Sequence, residues 1–264
     1  MNDITVYNGD CIEVMKDLRD ECIDMTFTSP PYYNAREYSE YDDYRTYLIF
    51  LNDVFTEVYR ITKEGRFVIV NTSPVIVARK SRNSQSMRLP IPFDLNTIMM
   101  DIGFDFIDDI IWVKPNASVP NRNGVFNQCR KPLTYKPNIV TEYIMVYRKH
   151  TSRLIDWNLK QCPKEDMKRS VVEDDYDLTN VWNITPKHTK QHPAVFPNEL
   201  SDRIVKYYSF VNDVVFDPFM GIGTTGMSCI GLDRNFIGIE LDKKYFNVAK
   251  RKLGDSLHGR KRLF

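Results

Sequence analysis

The chain has 264 residues, of which 42% are hydrophobic and 27% charged, with a formal net charge of +1. This is the composition of a soluble globular protein rather than a disordered one, long enough for one large α/β domain with an insertion. No run approaches the roughly 18 apolar residues of a membrane span, and a near-neutral charge neither demands nor excludes a nucleic-acid partner.

The first convincing strand is Ile23–Thr28, and it runs into TSPPYY at residues 28–33. Pro30 and Pro31 lack backbone N–H groups and continue neither sheet nor helix, so the strand stops at a rigid corner that presents Ser29, Tyr32 and Tyr33. Residues 44–61 carry Tyr44, Tyr47, Leu48, Leu51, Val54, Phe55 and Val58 at helical spacing, with Asp43 placed to cap them. Gly65 ends that unit, and residues 66–71 read as a buried strand. A short helix over 94–102 closes at Gly103, and strands follow at 106–113 and 143–148. Between and after these two strands, 114–141 and 150–190 are polar, weakly periodic and bear Pro and Asn, so they read as long loops and an inserted recognition region. The last third predicts a helix at 198–209, a strand at 214–216, a helix near 224–231, a strand at 236–240 and a helix at 243–253. This alternation predicts an α/β fold, a doubly wound and mostly parallel sheet with helices on both faces. It is organised as a single domain over 1–264, with 115–185 as a probable target-recognition insertion.

The segment DVVFDPFMGIGTTG (213–226) places a glycine turn between a strand and a helix. Gly221 and Gly223 let the backbone approach a ligand, and Thr224 and Thr225 are expected to cap the helix that follows. The Walker pattern is absent because no Lys-Ser/Thr follows the glycines. The loop opens with Asp217, Pro218 and Phe219, so the dinucleotide fingerprint is incomplete too. A purely structural turn stays open on this segment alone. The next strand, NFIGIELD, ends on Glu240, and an acid at that position is placed to accept hydrogen bonds from ribose hydroxyls. Together the two describe an adenosine-type cofactor site.

Local charge is uneven. The stretch 78–88, ARKSRNSQSMR, carries Arg79, Lys80, Arg82 and Arg88 with no acid, and 250–264 is also strongly basic. Such runs are either solvated faces or phosphate contacts. The cysteines at 11, 22, 129, 162 and 229 form no CxxC pair. Free thiols in a reducing cytoplasm are expected, without a disulfide framework or a metal site. The opening MNDITVYNGD shows no secretory pattern.

DPFMGIGTTG resembles the cofactor loop of amino-methylating DNA methyltransferases, and TSPPY resembles their catalytic tetrapeptide. The corner precedes the cofactor loop, which is the order of the circularly permuted β group. NGDCIEVMKDL (8–18), IIWVKPN (110–116), TEYIMVYRK (141–149) and HPAVFPNEL (192–200) also resemble that family and follow its order. The resemblance covers nearly the whole chain apart from 118–140 and 150–185. One departure is MGIG, where members often carry a small residue and then GSG.

The resemblance implies S-adenosylmethionine as methyl donor, no metal, and double-stranded DNA as substrate. An exocyclic amine is a poor nucleophile, because its lone pair is delocalised into the ring. Acceptors at Ser29 Oγ and the Pro30 carbonyl, fixed by Pro31, localise that pair, and Tyr32 stacks on a base extruded from the duplex. Serine at position 29 resembles the cytosine-N4 members more often, whereas aspartate there resembles the adenine-N6 members, and adenine stays open. Methyl transfer to an amine needs no cysteine nucleophile. The expected cofactor residues are Asp10, Asp217, Pro218, Phe219, Gly221, Gly223, Thr224, Thr225 and Glu240. Asp10 has the equal alternative of a helix cap, and His192 that of a loop packing residue. Arg36, Arg79, Lys80, Arg82, Arg88 and Lys114 are the expected DNA contacts, with surface roles open for each. A cognate restriction endonuclease is a further expected partner. Methylation of RNA and a non-catalytic DNA-binding module are the remaining alternatives.

Overall fold

The computed structural model describes residues 3–33, 41–77, 83, 86–118, 132–133, 135, 137–173, 177–186 and 196–261. The chain opens with β1 (Ile4–Asn8), α1 (Cys11–Lys16) and β2 (Ile23–Thr28), followed by α2 (Tyr44–Ile61) and β3 (Thr62–Thr72). Two short strands, β4 (Val75–Val77) and β5 (Met87–Leu89), precede α3 (Ile91–Ile102), β6 (Phe104–Val113) and β7 (Thr141–Lys149). Next come α4 (Ile155–Gln161), α5 (Lys164–Arg169) and β8 (Val181–Asn183). The last third is α6 (Asn198–Tyr208), β9 (Val214–Asp217), α7 (Thr224–Gly231), β10 (Asn235–Glu240) and α8 (Lys243–Lys261).

Eight strands form one sheet in the order β1-β10-β9-β2-β3-β7-β6-β8, while β4 and β5 pair separately. From β1 to β3 every neighbouring pair is parallel. β7 is antiparallel to both β3 and β6, and β8 is parallel to β6, so β7 alone runs against the rest. The mostly parallel, doubly wound architecture is therefore as expected. The carboxyl ends of β1, β10, β9 and β2, four adjacent strands, all reach one edge, which is where open α/β sheets place their ligands.

Strand alternation divides the core into two layers. Val68 and Val70 of β3 and Phe216 of β9 pack with Leu51, Val54, Phe55 and Val58 of α2, and with Cys11, Met15, Leu95 and Met99 of α1 and α3. Met25 and Phe27 of β2, Ile69 of β3 and Val215 of β9 face the other way, onto Leu200, Ile204, Cys229, Ala249 and Leu253 of α6, α7 and α8. All six residues of β2 are buried, consistent with its place between β3 and β9. Asp43 caps α2 by accepting from the Thr46 amide at 2.7 Å, and Gly103 ends α3 in the left-handed conformation at φ 113°.

The structure departs from the sequence expectations in several places. β1 precedes the first expected strand and pairs with β10. α8 continues to Lys261, well beyond 253. The interval 150–190 contains α4, α5 and β8 rather than loop alone. Within 115–185, β7 is an integral strand of the main sheet, bonded on both sides. Cys11, Cys22, Cys162 and Cys229 are free thiols. Among the described residues no helix is long and apolar enough to cross a membrane, and no cluster of His, Cys, Asp and Glu is arranged to hold a metal ion.

Candidate active site

The carboxyl ends of β1, β2, β9 and β10 open onto a cavity of about 400 Å³. The turn after β1 contributes Gly9, Asp10 and Cys11, and the corner after β2 contributes Ser29 to Tyr32. The loop after β9 contributes Pro218 to Ile222 and Thr224, and the turn after β10 contributes Glu240, Leu241 and Asp242. Tyr41, Phe50, Phe196 and Tyr245 complete the wall. The two segments singled out in the sequence, TSPPY and the glycine loop, are thus two sides of one cavity, because β2 and β9 are hydrogen-bonded neighbours.

At the glycine loop the backbone turns twice through the left-handed region, at Gly221 (φ 54°) and Gly223 (φ 82°), which side-chain-bearing residues rarely adopt. The Gly221 amide donates to Glu240 Oε2 at 2.9 Å, and the Asp242 amide donates to Oε1 at 2.8 Å. A carboxylate has about four acceptor sites, so two remain for a ligand's hydroxyls. Burial raises Glu240 to about 7, and the two amides only partly offset it. Gly238 lies beneath the loop, where an added Cβ would meet Met220 Sδ at 2.5 Å, so the loop's close packing on β10 requires glycine there.

Asp217 lies behind the cavity, 1% exposed. Its carboxylate accepts from Thr28 Oγ1 at 2.7 Å, Thr225 Oγ1 at 2.8 Å and the Phe219 amide at 3.1 Å. Burial raises its pKa to about 6, and these three donors pull the other way. Thr224 and Thr225 do not cap α7 as expected. The N-cap residue is Gly223 and makes no side-chain cap bond, since Thr225 is turned to Asp217 while Thr224 faces the cavity. Asp10 is the N-cap of α1, accepting from the Ile12 and Glu13 amides, and it also lines the cavity. Burial pushes the neighbouring Cys11 thiol up to about 12, which keeps it protonated and unreactive.

At the corner, Tyr32 OH donates to Glu142 Oε2 at 3.2 Å, and Asn71 Nδ2 donates to the same oxygen at 2.7 Å and lies 3.5 Å from Ser29 Oγ. Burial, and then the Glu142 charge, hold the Tyr32 phenol well above its ordinary pKa, so it stays a neutral donor. An aromatic cluster backs this side of the cavity, with Tyr41 5.6 Å from Phe50 and Phe50 6.0 Å from Phe219 between ring centroids.

Of the expected residues, Ser29, Pro30, Pro31, Tyr32, Asp10, Pro218, Phe219, Gly221, Thr224 and Glu240 line the cavity, while Asp217, Gly223 and Thr225 support it from behind. Lys114 lies by the corner rather than on an open surface, paired with Glu142 and 4.5 Å from the centre of the Trp112 ring. Arg88, on β5, donates to the Pro137 carbonyl at 2.6 Å. Arg36, Arg79, Lys80, Arg82 and His192 lie outside the described residues. Tyr41, Phe50, Asp242 and Tyr245 were not read from the sequence as lining residues, and neither was the contact of Glu142 with the corner.

A doubly wound sheet with a cavity at its strand ends, bounded by a glycine loop and a proline corner, is the arrangement in which open α/β enzymes bind their ligands. The family model for DNA methylases of the N6/N4 amino-methyltransferase type matches residues 23–251, and the chain belongs to that family. Its relatives include the orphan methyltransferase M.BamHII of Bacillus amyloliquefaciens, 27% identical over 94% of this chain and 96% of that protein. The type II methyltransferase M.SmaI of Serratia marcescens is 28% identical over 93% and 89%. Among solved structures, the Thermus thermophilus protein TTHA0409, in complex with S-adenosyl-L-methionine, superposes with a TM-score of 0.71 at 28% identity, covering 97% of this chain and 94% of that one. The cytosine-N4-specific PvuII DNA methyltransferase shares the fold, with a TM-score of 0.72 at 20% identity over 97% and 92%.

Proposed function

We propose that this DNA methyltransferase moves a methyl group from S-adenosylmethionine to the exocyclic N4 amine of a cytosine flipped out of double-stranded DNA. The observation that carries the reading is that Ser29, Pro30, Pro31 and Tyr32 share one cavity with the glycine loop and Glu240. The cofactor fits the residues present. Glu240 keeps acceptor capacity for ribose hydroxyls, the loop glycines allow close backbone approach, and aromatic and aliphatic side chains flank the space. When bound, S-adenosylmethionine supplies an electrophilic methyl carbon on a sulfonium.

The chain's own part is to orient the amine. Ser29 Oγ and the Pro30 carbonyl accept hydrogen bonds from its two N–H groups and turn the nitrogen lone pair toward the methyl carbon, while Tyr32 stacks on the base. A neutral serine supports alignment as the main source of acceleration, and the serine at position 29 supports cytosine over adenine. For DNA we assign phosphate contacts to Arg79, Lys80, Arg82 and Arg88, a contact near the flipped base to Arg36, and base reading to segments within 115–185. A cytoplasmic site of action and a cognate endonuclease belong to the same reading, the latter supported by the type II names of several relatives.

The test is methyl transfer from labelled cofactor to unmethylated genomic DNA, followed by digestion to nucleosides and mass spectrometry. N4-methylcytosine is the expected product. N6-methyladenine would overturn the choice of base, and no label in any DNA nucleoside would overturn the substrate.

A further inference from the structure

Two of the segments that resemble the family, IIWVKPN and TEYIMVYRK, both reach the corner. Phe27, Ile69, Ile144 and Trp112, on four strands, belong to the core layer beneath α6 to α8. Moving two residues along each strand toward the cavity edge gives Ser29, Asn71, Glu142 and Lys114, which the two-residue period keeps on that same face. For Glu142 the step is backward in sequence because β7 is antiparallel. Four polar residues thus form a row capping an apolar one, and only Ser29 among them lines the cavity.

Glu142 is the hub of this row. Its Oε1 pairs with the Lys114 ammonium, and its Oε2 accepts from both Asn71 Nδ2 and Tyr32 OH. The Glu142 side chain is 13% exposed and that of Lys114 19%, so the pair is shielded from water. Asn71 Oδ1 is buried with no partner among the described residues, so that amide is held by its donor side alone, aimed at Glu142 and Ser29. Asn71 Nδ2 also reaches Ser29 Oγ at 3.5 Å, so the amide bridges Glu142 to the hydroxyl of the corner. Tyr32 commits its own proton to Glu142, which fixes the far end of the phenol.

We propose that Glu142 is a positioning residue for the corner. Through Asn71 it fixes the place of Ser29 Oγ toward the target amine, and through its bond with Tyr32 OH it closes the corner. The same bond anchors the far end of the Tyr32 ring and sets the plane on which a base stacks. Lys114 and Asn71 hold Glu142 in register.

This inference rests on the proposed function, and its test separates the two. Tyr32→Phe removes one hydroxyl while keeping the ring and the Glu142–Lys114 pair. Its kcat is expected to fall about tenfold or more, the scale of losing a hydrogen bond to a charged group, with cofactor affinity and KM for DNA held and cooperative unfolding retained. Glu142→Ala is expected to lower kcat similarly, and the double variant to be little worse than either single one, because all three break one chain. Wild-type turnover in Tyr32→Phe, or a double variant falling by the product of the two single effects, overturns the inference and leaves methyl transfer standing. Absence of methyl transfer by the unaltered protein overturns both.

Discussion

Thr28 Oγ1 donates to Asp217 Oδ1 at 2.7 Å, a buried bond between residues 189 positions apart in the chain. It ties the last residue of β2, which leads into the Ser29 corner, to the last residue of β9, which leads into the glycine loop. The two sides of the cavity are therefore registered by a side-chain bond as well as by the sheet. Transfer between two bound reactants is sensitive to displacements of about 1 Å, so a tie of this kind bears directly on rate.

Thr28→Val keeps the shape of the side chain and deletes that donor. The variant is expected to lose about 1–3 kcal/mol of stability, the cost of leaving a buried acceptor short of a partner, read by urea denaturation. Cofactor affinity should fall with it, because Asp217 loses one of the three donors that favour its charged form.

Asp217 and Glu240 are expected to make stability and cofactor binding respond to pH in opposite directions. Both are raised chiefly by burial, to about 6 and about 7. Their folded pKa values lie above the unfolded ones, so between about pH 4 and 7 the folded chain keeps protons that the unfolded chain has released. The contribution of these two groups to stability is therefore greatest below about pH 4, declines as pH rises through that window, and is level above it. The decline is roughly 3 kcal/mol per group at most. The ligand hydroxyls need a carboxylate acceptor, so cofactor affinity should rise from about pH 5.5 to about pH 8. Calorimetric titration across that range checks this, and Glu240→Gln should flatten the response.

Which parts of this design could be read from the sequence follows from how local each signal is. The span of α2 is marked by one cap and one apolar stripe within eighteen residues, and it stands as expected. β1 shows a mostly exposed pattern at the edge of the sheet, and its partner β10 lies more than two hundred residues away, so nothing nearby marks it as a strand. β8 is three residues long and is held by β6 and by the bond from Trp112 Nε1 to the Ile184 carbonyl at 2.8 Å. At the site, the glycine loop, Glu240 and the corner carry their own local chemistry and were legible. Glu142 and Asn71 were not, because an acid or amide on a strand acquires its partners only when β2, β3, β6 and β7 are assembled. Thr225 was misread for the same reason, since a threonine at the start of a helix looks like a cap until Asp217 is placed beneath it.

Gly223 and Gly231 stand at opposite ends of α7 and should respond oppositely to alanine. At Gly223 the backbone is left-handed, and a Cβ would meet Ala249 Cβ at 3.3 Å and Leu253 Cδ1 at 3.4 Å. Gly223→Ala is expected to cost about 1–2 kcal/mol from the backbone alone and to weaken cofactor binding by moving the loop. At Gly231 a Cβ meets nothing within 4 Å, and alanine there should gain up to about 1 kcal/mol of helix propensity. Melting curves of the two variants with and without cofactor read both effects.

Ser29→Ala tests the corner most directly. The substitution removes one acceptor from the cavity wall and leaves Pro30, Pro31, the glycine loop and Glu240 in place. Cofactor affinity and melting temperature are therefore expected to stay near those of the unaltered chain, and DNA binding to persist. Turnover should fall by about two orders of magnitude, the scale seen when one pre-organised hydrogen-bonding group is removed from an active site. Single-turnover methylation of saturating DNA isolates the step. A Ser29→Ala protein that methylates at the original rate would mean that the Pro30 carbonyl orients the amine alone, and the role given to the serine would fall.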